Sequence, residues 1–295
     1  MGARRGPGPV SLVPEGGVRL TRQGDPVGNT FDIDAYLARL GYQGSTAPSL
    51  AVLDALTRAH SQTIPFENLD VLLRRPIHLE PQRLYDKLVT ARRGGYCFEL
   101  NGLFLELLAR LGFAVRPLAA RVRLSTADRS IMVQRTHLTL AVTLDGQDWI
   151  TDVGVGATSL TRALRLEDGL VQATSHDTRR LVREDGRWFH QVRHADQWID
   201  VYEFTGEDMP MVDREVANWY TSTHPGSFFL QRPTAALALP EGRRVSLLGK
   251  VLKFREADGS ARDQELDGPQ DLQAALGEHF GIDLPMDALR TIPLD

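Results

Sequence analysis

The chain has 295 residues, of which 42% are hydrophobic, so it can bury a sizeable core and is long enough for about two domains. Its net charge of −4 argues against nucleic acid or an anionic membrane as the main partner. We interpret the two basic pairs Arg74-Arg75 and Arg179-Arg180 as solvated surface. The single cysteine, Cys97, excludes an internal disulfide and a Cys-x-x-Cys zinc site, and it fits a protein of the reducing cytoplasm.

The first residues, 1–28, are rich in Gly, Pro and Arg and lack the apolar core of a signal peptide. No segment has the roughly 18 consecutive apolar residues of a membrane-spanning helix. We therefore predict a disordered N-terminal extension over residues 1–28 and a soluble protein without a membrane partner.

Four helical patterns follow the extension. Apolar residues recur at helical spacing over 32–40, 50–60, 81–91 and 100–111, and Pro81 suits a first helical position. Gly112 is a natural end for the fourth helix. Because the connections are short, we predict a compact helical bundle over residues 29–113.

Cys97 lies one turn before the apolar stripe of the fourth helix. The pair Gly94-Gly95 would break regular structure and let the backbone turn sharply just upstream. This places Cys97 near a helix N-terminus, where the helix dipole favours a thiolate. A lone cysteine can equally be a small buried apolar residue, and a nucleophile needs a base.

After Gly112 the hydrophobic period changes from 3.6 to 2. Strands are predicted over 114–124, 132–144, 147–153, 179–184, 187–193 and 198–204, with Asp145-Gly146 and Asp185-Gly186 as two-residue hairpin turns. Residues 114–210 are therefore predicted to form an antiparallel β-barrel or curled sheet. A helix over 211–221 then bridges to a last segment with strands within 245–256 and a helix over 269–280.

The hairpin turn at residues 145–146 predicts a pair of interacting polar side chains. It places Thr139 opposite Asp152, and His137 then lies diagonally from Asp152 on the same face. The other face carries Leu138, Leu140 and Val142, and we predict that it is the core side. His137 would then point away from the β core, towards another domain.

A carboxylate that accepts a hydrogen bond from one imidazole nitrogen fixes the tautomer, and the other nitrogen can take the proton of a thiol. The pattern therefore predicts a catalytic triad of Cys97, His137 and Asp152, similar to the core of cysteine proteases. The alternative for an isolated histidine on a polar strand face is a solvated side chain without a function.

Five motifs of the chain, in this order, resemble those of the arylamine N-acetyltransferase family. They are Ile64-Pro65-Phe66-Glu67-Asn68-Leu69, the stretch Arg92 to Gly102, Thr136-His137-Leu138, Asp152-Val153-Gly154-Val155-Gly156, and Asn218 to Pro225. The resemblance spans about residues 30 to 290. It implies an α+β fold of several domains: a helical bundle over 29–113, an antiparallel β-barrel over 114–210, an interdomain helix over 211–224 and an α/β lid over 225–295.

The resemblance also implies a reaction. Cys97 would be the acetylated nucleophile, His137 the base and Asp152 the residue that orients it. Acetyl-CoA, the cosubstrate, would donate its acetyl group to the thiol, and an arylamine, hydrazine or arylhydroxylamine would then take it in a ping-pong reaction typical of xenobiotic metabolism.

The same resemblance implies binding residues. Thr136 and Gly156 would lie along the CoA channel, Phe66 would line the acceptor pocket, and Phe229 would help to close the cleft.

Several alternatives remain open. An amide synthase that closes a macrolactam on a polyketide chain would use the same triad, and a cysteine hydrolase would pass the acyl group to water. A binding protein without activity is a third alternative, and a homo-oligomer is possible.

Two motifs do not point to a cofactor. The segment Gly154–Ser159 partly imitates a dinucleotide-binding turn but follows an antiparallel hairpin, so we do not predict a dinucleotide site there. His190 and His194 lie on a predicted strand without a carboxylate partner, so we predict no metal.

Overall fold

The structure is a computed structural model that describes residues 31–294. The predicted extension over residues 1–28 lies outside the described residues.

The helical part of the fold follows the predicted pattern. Its helices are α1 (Ile33–Arg39), α2 (Leu50–Thr63), α3 (Leu69–Leu72), α4 (Pro81–Tyr85), which continues into a π-helical turn (Asp86–Thr90), and α5 (Cys97–Arg110). The side chain of Asp32 caps α1 by accepting from the amide of Ala35, and Ser49 caps α2 through the amide of Val52. Gly112 follows α5 with a φ of +90°, as expected of a residue that ends a helix.

An eight-stranded antiparallel sheet forms the middle of the chain. In spatial order its strands are β5 (Leu164–Arg165), β4 (Gln147–Thr151), β3 (His137–Leu144), β2 (Ala114–Val122), β9 (Gln197–Asp208), β8 (Arg187–His194), β7 (Thr178–Glu184) and β6 (Val171–Ala173). The side chain of Gln172 on β6 bonds both backbone groups of Arg165 on β5, at 2.8 and 3.0 Å. The two edge strands therefore meet, and the sheet curls into a nearly closed barrel.

The last third of the chain combines one helix with a second sheet. The helix is α6 (Met211–Thr223), and the sheet is formed by β1 (Phe66–Glu67), β10 (Thr234–Ala238), β11 (Arg244–Leu248), β12 (Val251–Arg255) and β13 (Ala261–Glu265), flanked by α7 (Pro269–Phe280) and α8 (Met286–Leu289). The predicted helix over 269–280 is confirmed. Strand β1 comes from the helical part and pairs with β10, so the sequence segments around residues 66 and 236 are joined in one sheet.

The apolar faces of the barrel differ from our prediction. Leu138, Leu140 and Val142 belong to the core that the helices share, whereas Thr139 bonds Tyr202 inside the barrel. The expectation that His137 points away from the β core is therefore wrong, because its ring also packs on Tyr202, 5.1 Å between centroids. Both faces of β3 are buried, and alternation along a strand does not reveal which face meets the helices.

The prediction that Arg179-Arg180 is solvated surface is wrong for Arg179, whose side chain is fully buried inside the barrel. A buried guanidinium requires partners, and Arg179 has them in Asp177 and His190.

Within residues 31–294, no helix combines the length and the apolar character needed to cross a bilayer.

Candidate active site

Close packing places Cys97 at the start of α5. A Cβ atom on Gly94 would lie 2.2 Å from the carbonyl oxygen of Pro65, so only glycine fits there. The sharp turn that we expected at the glycines is made instead by Arg92, whose φ is +53°. The glycines allow the loop before α5 to lie against the segment that carries Phe66.

The first turn of α5 is held by a buried carboxylate. Glu99 accepts from the amide of Tyr96 at 3.0 Å and pairs with the ammonium of Lys87 at 2.7 Å. Lys87 also pairs with Asp70 at 2.7 Å. Burial disfavours the ammonium, but the carboxylates of Glu99, Glu67 and Asp70 outweigh burial and keep the pKa of Lys87 above its usual value. The helix N-terminus that carries the thiol is thus fixed by paired charges.

The hairpin β3–β4 brings a histidine and a carboxylate together. Its predicted register is confirmed, since Leu144 pairs with Gln147 and Leu140 with Thr151. Nε2 of His137 lies 2.6 Å from Oδ2 of Asp152, and both side chains are buried. The predicted contact between His137 and Asp152 is therefore present in the structure.

The second oxygen of Asp152 is also occupied. Its Oδ1 accepts from Nδ2 of Asn101 on α5 at 2.8 Å and from the amide of Gly154 at 2.9 Å. Asn101 in turn accepts from the amide of Val153 and donates to the carbonyl of Leu138. Asn101 therefore ties α5, one turn after Cys97, to both strands of the hairpin.

The thiol of Cys97 lies at the junction of α5 and β3. Its Sγ is 3.6 Å from the carbonyl oxygen of Thr136, the residue before His137. A Cβ on Gly154 would come within 2.9 Å of Cα of Cys97, so the loop after β4 also approaches the thiol closely. Since Nε2 of His137 faces Asp152, its Nδ1 is the nitrogen left for Cys97.

Electrostatics favour a charged imidazole at this site. Burial disfavours the imidazolium of His137, but the Asp152 carboxylate and the hydrogen bonds to Asp152 and Cys97 outweigh burial and raise its pKa to about 10. For Asp152, burial raises the pKa, and His137, Asn101 and the Gly154 amide together lower it below its usual value. At neutral pH the pair is therefore an imidazolium and a carboxylate.

Aromatic side chains pack on Tyr96, the residue before Cys97. The ring of Phe66 lies 6.0 Å from that of Phe229, which lies 5.6 Å from that of Tyr96. Gly156, with a φ of +67°, begins a short 3₁₀ turn against Phe66, so that a Cβ at Gly156 would lie 3.6 Å from the ring. Phe66, Phe229 and Gly156 are thus brought together.

Sequence reasoning missed Asn101 and Tyr202. Asn101 stands four residues after the cysteine, on the same face of α5, and this spacing is a signal that could have found it. Tyr202 packs on His137 and lies on β9, far along the chain, so no local pattern points to it. Within the described part of the chain, no group of three or more His, Cys, Asp or Glu side chains could hold a metal ion.

A thiol at a helix N-terminus beside an imidazole that is paired with a carboxylate is the arrangement of enzymes that use cysteine for acyl chemistry. A family model described as N-acetyltransferase matches residues 49–289. An arylamine N-acetyltransferase from Mycobacterium tuberculosis is 43% identical over 257 residues, which cover 86% of this chain and 90% of that protein. The chain belongs to the arylamine N-acetyltransferase family.

Solved structures agree with this assignment. The structure of the arylamine N-acetyltransferase from M. tuberculosis matches with a TM-score of 0.84 at 43% identity, covering 88% of this chain and 98% of that one. The Mycobacterium marinum enzyme, solved in complex with CoA, matches with a TM-score of 0.83 at 38% identity, covering 88% and 97%.

Proposed function

We propose that the chain is an arylamine N-acetyltransferase that carries acetyl from acetyl-CoA to an arylamine, hydrazine or arylhydroxylamine through a thioester on Cys97. The observation that carries this proposal is the 2.6 Å contact of His137 with Asp152 beside the only thiol of the chain. A free thiol needs a reducing compartment, so we assign the activity to the cytoplasm.

In the first half-reaction the Cys97 thiolate attacks the carbonyl carbon of the acetyl thioester. The bond between that carbon and the CoA sulfur breaks, and CoA leaves as a thiolate that takes the proton of the His137 imidazolium. Two thioesters of similar energy are exchanged, so the step is reversible. The raised pKa of His137 supports this role, because it keeps the proton on the imidazole at neutral pH until CoA departs.

In the second half-reaction the amine attacks the acetyl carbon of the Cys97 thioester. His137, now neutral, takes a proton from the amine nitrogen, and the bond from carbon to Sγ breaks. The products are the N-acetyl amine and the original pair of thiolate and imidazolium. Asp152 holds the ring of His137 in place through both halves and stabilises its charge.

The binding residues follow from the arrangement around the thiol. Phe66 and Phe229 are proposed to contact the aromatic ring of the acceptor, since their rings pack on each other, and Phe229, which is half-buried, packs on Tyr96 next to Cys97. Thr136 and Gly156 are proposed to line the CoA channel, because they lie beside Cys97 and Phe66 respectively. The proposed domains are the bundle over 29–113, the barrel over 114–210, the helix over 211–224 and the lid over 225–295.

The test is the intact mass of the protein after it is mixed with acetyl-CoA. We expect one added acetyl group on the wild type and none on Cys97→Ser, followed by loss of the group when an arylamine is added. A wild type that gains no acetyl, or a Cys97→Ser variant that gains it equally, would refute the proposal.

The same mixture distinguishes the alternative activities. A hydrolase would consume acetyl-CoA at a rate that does not respond to the arylamine. An amide synthase would leave acetyl-CoA and simple arylamines unchanged. We expect instead that a small panel of arylamines and hydrazines accelerates the release of CoA.

A further inference from the structure

Behind the pair of His137 and Asp152 lies a second buried histidine. His190 on β8 is fully buried inside the barrel, and its ring lies 4.7 Å from that of Tyr202. Tyr202 in turn packs against His137, 5.1 Å between ring centroids. Tyr202 therefore packs against both imidazoles.

His190 has a charged partner of its own. Nη1 of Arg179 on β7 lies 3.3 Å from Nε2 of His190. The strand register explains the contact, since Leu181 pairs with His190 and Arg179 is its diagonal neighbour on the same face. The guanidinium is fixed on its other side by Asp177, which accepts from Nε and Nη2 at 2.6 Å each.

This contact defines the state of the His190 ring. A guanidinium can only donate, so Nε2 of His190 must accept and cannot carry a proton. The proton of the neutral ring is then on Nδ1. A charged His190 would bring two donors and two positive charges together at 3.3 Å.

We propose that Arg179 keeps His190 uncharged and thereby reserves the Asp152 carboxylate for His137. This inference rests on the proposed function, since it assigns Arg179 as a positioning residue for the same reaction. It gives a reason for burying an arginine in the barrel interior immediately behind the reacting groups.

The charges that face His190 come from four elements. Burial is the largest influence on the pKa of His190 and lowers it well below the usual value. Arg179 and His137 lower this pKa further. Asp152 and Asp177 act in the opposite direction, because each attracts a proton to the ring. Tyr202, the remaining neighbour, has a pKa raised well above 10 by burial and stays neutral.

Loss of Arg179 would change this balance. Without the Arg179 guanidinium, Nε2 of His190 would be free to take a proton. The negative charge of Asp152 would still favour the protonated ring. A charged His190 would then compete with His137 for Asp152, and His137 would lose the partner that orients it.

The experiment compares the pH dependence of two neighbouring arginine variants. Arg179→Met removes the guanidinium beside His190. Arg180→Met is the matched control, because Arg180 points to the opposite face of β7, where it bonds Gln191 and covers the ring of Trp198. The measurements are the protonation of His190 by ¹⁵N NMR and the single-turnover rate of acetylation by acetyl-CoA, from about pH 5 to 9.

In the wild type and in Arg180→Met we expect a neutral His190 with its proton on Nδ1 throughout. In Arg179→Met we expect His190 to take up a proton at mildly acid pH and the acetylation rate to fall with the same midpoint. The acetylation rate of Arg179→Met should fall by a factor between about ten and ~10⁴, the latter being the loss when a triad histidine is deprived of its carboxylate. The double variant Arg179→Met with His190→Phe should not show this acid-side fall.

Two results would overturn the inference: a protonated His190 in the wild type at neutral pH, or a rate profile of Arg179→Met that superimposes on that of Arg180→Met. If Arg179→Met does not fold, the tautomer of His190 in the wild type still tests the inference, because a proton on Nε2 would show that Arg179 does not donate to that atom. That state does not depend on whether acetyl-CoA is the substrate, so a failure of the proposed function, seen by mass, is distinguishable.

Discussion

Asp152 is the residue on which the hydrogen bonds of the site converge, and its charge can be removed without changing its shape. In Asp152→Asn the side chain can still accept from Asn101 and Gly154, so the fold should stay nearly intact. The imidazolium of His137 loses its stabilising charge, and by analogy with other triads we expect the acetylation rate to fall by about 10⁴. Stopped-flow release of CoA measures this rate.

The control for this substitution is Asp148→Asn on the same strand. Asp148 is exposed, and among the described residues its carboxylate bonds only Thr143, so its loss should leave the rate unchanged within about twofold. A mild effect of Asp152→Asn would show that the contact with His137 does not orient the base.

A substitution of Phe229 should affect binding of the arylamine acceptor without affecting acetylation by acetyl-CoA. Its ring borders Phe66 and Tyr96, whereas the neighbouring Phe228 is 45% exposed. We expect Phe229→Ala to raise KM for an arylamine by about tenfold, the value of an aromatic contact of ~1.4 kcal/mol, and to leave single-turnover acetylation unchanged. Phe228→Ala should change neither, and an equal change in both variants would argue against an acceptor contact at Phe229.

At the scale of single residues, the sequence led to His137 and Asp152 because a two-residue turn determines which residues face each other. It could not reveal that His190 and Arg179 lie near that pair. They lie on β8 and β7, and His190 reaches the hairpin through Tyr202 on β9, so these contacts depend on how the barrel closes rather than on any local period.

At the scale of elements, the loop before α5 is held by close packing, and this can be tested with alanine. In Gly94→Ala the new Cβ would meet the backbone oxygen of Pro65 at 2.2 Å and the side chain of Glu67 at 2.7 Å. The loop must then shift, and we expect a loss of about 2–4 kcal/mol in the free energy of unfolding together with a loss of acetylation. Urea denaturation measures the first and CoA release the second.

The matched control is Gly277→Ala in the interior of α7. No atom lies within 4 Å of a Cβ at this exposed position, and alanine is a better helix former than glycine by about 0.5–1 kcal/mol. The same substitution should therefore stabilise the protein at Gly277 and destabilise it at Gly94. Stabilisation at both positions would contradict the packing that we describe.

The elements themselves were predictable to different degrees. Helices such as α2 and α5 have caps and a long apolar stripe, so their existence follows from the sequence, although α2 ends at Thr63 rather than residue 60 and α5 begins at Cys97 rather than residue 100. Strand β1 has two residues, too few for a period to be recognised, and β10 (Thr-Ala-Ala-Leu-Ala) does not alternate between polar and apolar residues. Their pairing, which joins the helical part to the lid sheet, depends on tertiary structure alone.

At the scale of the whole molecule, buried histidines that are neutral and one that is positively charged set the pH range of stability. Burial lowers the pKa of His60 to about 3 and that of His176 to about 4, and it lowers that of His190 well below the usual value. Stability from these neutral rings is present above the unfolded pKa of about 6.5 and is lost as the pH falls below it. His137 has the opposite sign, since its stabilisation is complete below about 6.5 and is lost as the pH rises through about 10.

A substitution of His60 tests the loss of folding stability at acid pH. Its ring packs between Tyr36 and Phe104 in the helical core, and among the described residues neither of its nitrogens has a hydrogen-bond partner. Each neutral buried histidine costs on the order of 1 kcal/mol of stability per pH unit below 6.5, so lowering the pH to 4.5 should cost roughly 2–3 kcal/mol through His60 alone. His60→Leu removes this cost, and its advantage over the wild type should grow by that amount between pH 6.5 and 4.5.

Urea unfolding at a series of pH values measures the difference, with His78→Leu as the control at an exposed position. The stability that Asp70 and Asp177 contribute through their lowered pKa values, about 2 for Asp70, is lost only as the pH falls from the unfolded carboxylate value of about 3.9 towards the folded one, so the histidines act first as the pH falls. A constant difference between His60→Leu and the wild type would mean that His60 takes up a proton in the folded state. The neutral state of buried imidazoles, on which the assignment of a single charged histidine to Asp152 also depends, would then need to be revised.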